Sequence, residues 1–253
     1  MRVLETLIVA FSLFSALPMP RVDWNEKNMR YALCAFPLVG LGIGLAACLA
    51  FRLSALLHLP DVLRGALLCL IPVWITGGIH LDGYTDTCDA LSSHRDVEKR
   101  QEILKDPHIG AFAAIRLCAY FVLSFALWAA LKDPGPWALV GLYGLSRSLS
   151  GLALTLFPLR PGSGLARSFA DAADKKRVRL GLGFLALLFA LLLLASGQPA
   201  ALLAAALAFL RYRRVSERDF GGASGDLAGW FLQTAELWML AAMCLTQIGE
   251  ALL

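Results

Sequence analysis

Leu180 to Ser196 reads LGLGFLALLFALLLLAS, an apolar run with no charged side chain. Gly197-Gln198-Pro199 follows, and then AALLAAALAFL carries the chain to Leu210. A run approaching the roughly 20 residues needed to cross a bilayer, a Gly/Pro turn, and a second such run read as a tight hairpin of two membrane helices. Comparable runs recur at about 31–51, 62–81, 111–131, 137–158 and 227–247, with the hairpin itself at 180–196 and 199–212. The composition agrees. The 253 residues are 58% hydrophobic and 17% charged, against about 25% charged in a soluble domain, and the mean hydropathy is +0.65. The expected fold is all-α: one polytopic integral membrane helical bundle over 1–253, with about six to eight transmembrane helices.

The N-terminal apolar stretch Leu7–Leu17 is short for a span and ends in Pro18 and Pro20. Without a clear small-residue cleavage pattern it reads as retained, and the sequence leaves residues 3–17 open to spanning, re-entering or lying on the membrane. The six cysteines form no CxxC pair and fall mostly in apolar runs, where they read as small hydrophobes.

Basic residues sort by loop. Segments 18–30, 82–110, 159–179 and 211–226 hold 17 of the 23 lysines and arginines, whereas the intervening connections hold only Arg52, Arg64 and Lys132. With seven spans the four basic loops fall on one side, which the positive-inside rule makes cytoplasmic. The basic loops are therefore expected to face the cytoplasm, with the lipid bilayer as a partner and no nucleic acid.

The charges inside this greasy chain point to the chemistry. Residues 77–112 read GGIHLDGYTDTCDALSSHRDVEKRQEILKDPHIGAF. At 100° per residue, Asp82, Asp86 and Asp89 lie near 0°, 40° and −20°, on one helical face. Such carboxylates repel one another unless cations stand between them. Oxygen ligands at the end of a membrane span suit Mg²⁺, with Mn²⁺ as an alternative, bridging a phosphate. Gly83 leaves room beside Asp82 for close approach of a diphosphate. Asp106-Pro107 reads as an N-cap and first helical residue, and it also brings a fourth carboxylate to the same membrane face.

Candidate phosphate contacts are Arg95 and Arg100 on an amphipathic helix expected over 93–104, Lys105 beside Asp106, and Arg167 in the Gly-rich segment 160–167. Arg147, inside a span, is expensive to bury and is a candidate by default, with Glu236 as a partner. Asp226 ends the segment Gly221-Gly222-Ala223-Ser224-Gly225-Asp226; it reads both as an N-cap of the last span and as a substrate-binding residue.

Together these motifs resemble the cobalamin synthase family. The resemblance rests on Gly77-Gly78-Ile79-His80-Leu81-Asp82-Gly83 with Asp86 and Asp89, and on Lys105-Asp106-Pro107-His108-Ile109-Gly110-Ala111-Phe112. It extends to Phe36-Pro37-Leu38-Val39-Gly40 and to Gly221–Asp226. Ala90 and Ala113 stand where glycines are expected, and Ser224 where a threonine is. The resemblance covers nearly the whole chain and implies a Mg²⁺-dependent enzyme similar in fold to CDP-alcohol phosphotransferases. It implies transfer of the adenosylcobinamide phosphoryl group from adenosylcobinamide-GDP to α-ribazole or its 5′-phosphate, with release of GMP. The signature Asp-Gly-x-x-Ala-Arg of the CDP-alcohol enzymes is absent, since Tyr84-Thr85-Asp86-Thr87 follows Asp82-Gly83.

The expected chemistry is in-line attack of a ribose hydroxyl on a diphosphate, which needs positioning and charge neutralisation above all. Asp82, Asp86, Asp89 and Asp106 are the expected metal and catalytic residues, one of Asp89 and Asp106 taking the hydroxyl proton. A phospholipid-forming phosphotransferase is the nearest alternative, disfavoured by the missing Ala-Arg. A divalent-cation transporter would place its acids near the bilayer midplane. The sequence leaves a homo-oligomer open, and no aromatic cluster marks a corrinoid pocket.

Overall fold

A computed structural model describes residues 2–251, and these are helical throughout apart from their connections. We number the helices α1 (Arg2–Phe14), α2 (Glu26–Met29), α3 (Ala32–Leu56), α4 (Asp61–Thr76), α5 (Ile79–Ser92) and α6 (Val97–Ile103). They continue as α7 (Ala111–Ala130), α8 (Ala138–Leu156), α9 (Gly164–Ala172), α10 (Lys175–Ala195), α11 (Pro199–Phe220) and α12 (Gly225–Ala251). Five of these, α3, α7, α8, α10 and α12, are long and apolar enough to cross a membrane. The pair α4 and α5 qualifies only when joined, and it is bent by 97°.

Helix α11 fails on composition because Arg211, Arg213 and Arg214 follow its apolar first half. Its length nevertheless connects the same two ends of the bundle as its neighbours. At one end the four basic segments touch: Arg30 bonds Asp174, Arg100 bonds Asp219, and Arg160 faces Asp226. At the other end Lys132 bonds Asp61, Gln247 donates to the Asp133 carbonyl, and the Trp137 N–H donates to Ser196. The alternation of basic and neutral loops thus corresponds to two physical ends.

The core is built on α8, most of whose side chains are buried. Helix α3 packs along it because Gly40 and Gly44 admit backbone contact; a Cβ on Gly40 would lie 2.3 Å from the Tyr143 carbonyl oxygen. Helix α1 spans only 13 residues, about 20 Å of helix. It buries Val9 and Ala10 against α3 and leaves Val3 and Leu4 exposed, which suits an element lying on the bundle rather than crossing with it.

The structure corrects one expectation directly. The acidic helix does not continue the span that begins near Val62. Gly77 and Gly78 both take left-handed φ angles, 65° and 82°, which a side chain at either position would resist. The two glycines end α4 and restart the chain as α5 at a near right angle. The three aspartates therefore sit on a separate helix packed against α12.

Candidate active site

Helix α5 meets α12 at unusually short range. A Cβ on Gly83 would stand 2.7 Å from the Asp226 carbonyl oxygen, and one on Gly229 would stand 2.8 Å from that of His80. The space that Gly83 leaves is filled by α12, not by a diphosphate, so its role is to bring Asp226 beside the α5 carboxylates. Asp86 lies within electrostatic reach of Asp82, Asp89 and Asp226, and Asp226 within reach of Asp82 and Arg160. The grouping that forms is thus Asp82, Asp86, Asp89 and Asp226.

Asp226 is not the cap of α12. The Ser224 hydroxyl accepts the Leu227 N–H and leaves the Asp226 carboxylate in the first turn, where the helix N-terminus favours negative charge. Asp106 departs from expectation too. Helix α7 starts at Ala111, with Gly110 before it, and Asp106 lies on the exposed connection from α6. Its carboxylate accepts the His108 N–H at 3.0 Å and pairs with His108 Nδ1 at 2.8 Å. These contacts hold it below the usual carboxylate range. Asp89 lies directly against Gly110, where a Cβ would meet its Oδ1 at 2.2 Å. The segment carrying Asp106 is thereby tied to the acidic helix four residues further on.

A cavity of about 370 Å³ opens beside this group. Asp82, Gly83, Asp226 and Gly229 line one side; Arg160, Gly162, Ser163 and Gly164 line the other, with His80 and Ser150 within. The backbone holds loop 158–160 there, since the Arg160 N–H donates to Ala223 and the Ala223 N–H to Pro158. Arg160 is 4% exposed, with Nη2 3.5 Å from Asp226 and with Nε and Nη1 unpartnered. His80 Nε2 and the Ser150 and Ser163 hydroxyls are likewise buried without partners. Buried donors are almost always satisfied in a finished core, so their convergence marks a place for an anionic, hydrogen-bonding ligand. A larger void of about 820 Å³ between α1 and residues 19–28 is an open groove with no such group on its walls.

The other candidates fall in three places. Arg100 is tied to Asp219 at 2.6 Å and Gln101 to the Phe220 carbonyl at 2.7 Å, which latches α6 onto the end of α11. The helix expected over 93–104 is shorter than predicted, because Asp96 caps it at the Lys99 N–H. Arg95 and Lys105 are exposed near it. Arg167 donates to the carbonyls of Leu159 and Arg160, so it braces the cavity loop from outside. Arg147 does not reach the cavity. It is fully buried and bonds Glu236, which also accepts the Ser146 hydroxyl at 2.9 Å. The sequence suggests both the pairing with Glu236 and a phosphate contact; the structure forms the pairing and encloses the guanidinium, with Nε and Nη2 left without acceptors.

Sequence reading missed His80 and Ser150 as wall residues, and in the Gly-rich segment 160–167 it singled out Arg167 where Arg160 and Ser163 line the wall. His80 stands in the motif itself, and its place two residues before Asp82 was the available signal. Ser150 carries no local signature.

The donor set can be tested against Mg²⁺. Among the described residues no three His, Cys, Asp or Glu side chains are arranged to hold a metal ion by themselves. Mg²⁺ is usually bound by one or two carboxylates together with substrate phosphates and water. Asp82, Asp86 and Asp226, all hard oxygen donors beside a cavity lined by Arg160, fit that mode.

No solved structure matches this chain. The sequence matches the family described as Cobalamin-5-phosphate synthase over residues 6–244. A Lachnoclostridium phytofermentans protein named adenosylcobinamide-GDP ribazoletransferase is 43% identical, covering 94% of this chain and 92% of the relative. Proteins of the same name from Geobacillus thermodenitrificans and Clostridium botulinum are 35% and 34% identical, over 91% and 94% of this chain and 92% and 96% of the relatives. The glycine-broken helix, its carboxylates and the cavity loop all lie inside the matched region, and the chain belongs to the cobalamin-5-phosphate synthase family.

Proposed function

We propose that this protein transfers the adenosylcobinamide phosphoryl group from adenosylcobinamide-GDP to α-ribazole or its 5′-phosphate, with release of GMP. The observation that carries the reading is the cavity itself. Carboxylates on α5 and α12 share a space sized for a small ligand with a buried arginine and three further unpartnered polar groups. The family membership and the names of the relatives support the same reaction.

In this reading the diphosphate lies between Asp82, Asp86 and Asp226 on one side and Arg160 on the other. Bound Mg²⁺, or Mn²⁺, would join the diphosphate to the carboxylates and neutralise the charge that develops on its oxygens. Arg160, with Nε and Nη1 free, donates to the leaving phosphate. His80 Nε2 and the Ser163 hydroxyl add further polar contacts. The ribose hydroxyl oxygen attacks the phosphorus that carries adenosylcobinamide, and the bond from that phosphorus to the oxygen of GMP breaks. The hydroxyl proton passes to a carboxylate, Asp89 or Asp106, and GMP leaves with both electrons of the broken bond. Helix α6, bearing Arg100 and flanked by Arg95 and Lys105, covers the open side, and Arg167 keeps the loop under Arg160 in place. The corrinoid ring stays outside. The catalytic end faces the cytoplasm of a bacterial inner membrane, the side on which the basic loops gather.

Purified protein in nanodiscs, given adenosylcobinamide-GDP, α-ribazole and Mg²⁺, is expected to release GMP and form the cobalamin, and EDTA is expected to stop it. Turnover of CDP-diacylglycerol with a polyol, and none of the corrinoid, would replace this reading with the phospholipid one. Arg160→Gln is expected to lose about a hundredfold in kcat and Arg160→Lys to recover part of it, as suits a donor to a leaving phosphate.

A further inference from the structure

The α5–α12 pair is a wall with a cavity on each side. Towards the candidate active site it presents His80, Asp82, Asp226 and Gly229. Towards the other side it presents Tyr84, Cys88, Trp230 and Trp238, and these line a second cavity of about 450 Å³ closed by α7 and α11. Two arginines enter that space, Arg116 from α7 and Arg211 from α11, near enough for their charges to repel. Among the described residues neither forms an ion pair, and no carboxylate lines the cavity. Arg211 is held instead between two indoles, its guanidinium carbon 4.8 Å from the Trp230 ring centre and 5.5 Å from that of Trp238. The aromatic faces fix the guanidinium and leave its N–H edges free.

Two unpaired cations beside one cavity, Arg211 held by the indoles and Arg116 opposite it, call for an anion, and their position says which kind. Arg116 lies about 8 Å along α7 from its first residue, and Arg211 about 14 Å before the end of α11. Both starting points belong to the basic end of the bundle. Long basic side chains at that depth extend towards the headgroups, and tryptophans collect at the same level. Leu123, which is 54% exposed, and Leu237 continue the cavity wall along the apolar surface, as a path for an acyl chain requires. We propose that this cavity binds the phosphate of an anionic phospholipid, gripped by Arg116 and Arg211 with its acyl chains along Leu123 and Leu237. The wall separates it from the diphosphate, so the proposal stands apart from the reaction assigned above.

The test is native mass spectrometry of protein released from nanodiscs of mixed phosphatidylglycerol and phosphatidylcholine. Wild-type protein is expected to retain phosphatidylglycerol at least about tenfold over phosphatidylcholine. The Arg116→Gln/Arg211→Gln double variant is expected to lose that preference. Arg213→Gln/Arg214→Gln, which removes equal charge from α11 outside the cavity, is expected to keep it. No headgroup preference in wild-type protein overturns the proposal without reference to any variant. Equal loss in the two double variants overturns it in favour of diffuse surface charge. Displacement of the lipid by millimolar inorganic phosphate or by α-ribazole 5′-phosphate overturns it in favour of a soluble phosphate ligand.

Discussion

Charge gathers at two places along α12, and the chain treats the two oppositely. Arg147 on α8 and Glu236 on α12 face each other in the core, with Ser146 donating to the same carboxylate. Each charge has its counter-charge inside the core, although Arg147 Nε and Nη2 find no acceptor. At the end of the same α12, Asp226 joins Asp82, Asp86 and Asp89, with Arg160 as the cation that bonds Asp226. Here negative charge exceeds positive, and buried donors across the cavity lack acceptors. A balanced pair ties helices together; an unbalanced set is completed by a ligand. The difference separates a structural charge from a functional one more sharply than burial does, since Arg147 is the more deeply buried of the two arginines.

The comparison breaks first at the carboxylates. Asp82→Asn and Asp86→Asn preserve shape and remove charge, so the unbalanced set should lose its cation and phosphate while the bundle persists. Loss of about a thousandfold in GMP release is expected, with unchanged helix content and unchanged behaviour on gel filtration in detergent. Near-normal turnover in folded Asp86→Asn protein would remove the acidic helix from the mechanism.

Next come the balanced charges, where the expectation reverses. Arg147→Met strands Glu236 in the core and should cost about 3–5 kcal/mol of stability, read as a fall in the thermal midpoint in detergent. The double variant Arg147→Met/Glu236→Leu should recover most of that loss and much of the activity, because a well-packed apolar pair replaces a buried ionic one at little net cost. Full stability with abolished activity in the double variant would move Arg147 back among the functional residues.

The same contrast explains what was legible in the sequence. The spans and the basic loops are readable because hydropathy is a local property, and the Arg147–Glu236 pair because two ionisable residues deep in spans have few other partners. The shared face of Asp82, Asp86 and Asp89 follows from helix periodicity alone. The bend at Gly77-Gly78 is harder to read, since two glycines in an apolar run look the same inside a span as at its end. Only positive φ values at both positions distinguish the cases. Asp106-Pro107 carries a strong capping signature, yet His108 takes the carboxylate and the helix begins after Gly110. The joining of Asp226 to the α5 acids depends on contact between residues far apart in sequence, and its one local trace is a glycine at position 83.

That glycine supplies a smaller effect. Gly83→Val places side-chain atoms where the Asp226 backbone lies 2.7 Å away, and overpacking of this kind costs about 1–3 kcal/mol. The wedge should part α5 from α12 and separate Asp82 from Asp226. Activity is therefore expected to fall further than the thermal midpoint suggests, with a raised Mg²⁺ requirement. A parallel loss of stability and activity, with the Mg²⁺ dependence unchanged, would reduce Gly83 to a packing residue.

The smallest expected effect is at α6. Arg100 and Asp219 are partly exposed, and an ion pair of that kind contributes at most about 1 kcal/mol. Arg100→Ala should leave the thermal midpoint nearly unchanged. If α6 covers the substrate, releasing its latch raises KM for adenosylcobinamide-GDP by several-fold and leaves kcat close to wild type, because covering contacts are made equally in the ground and transition states. Asp219→Asn removes the same bond without touching a cation that faces phosphate. Equal KM shifts in the two variants assign the effect to the latch; a shift in Arg100→Ala alone assigns it to contact between Arg100 and the substrate. Either result tells whether the charge on α6 belongs with the balanced pairs that hold helices or with the unbalanced set that awaits a ligand.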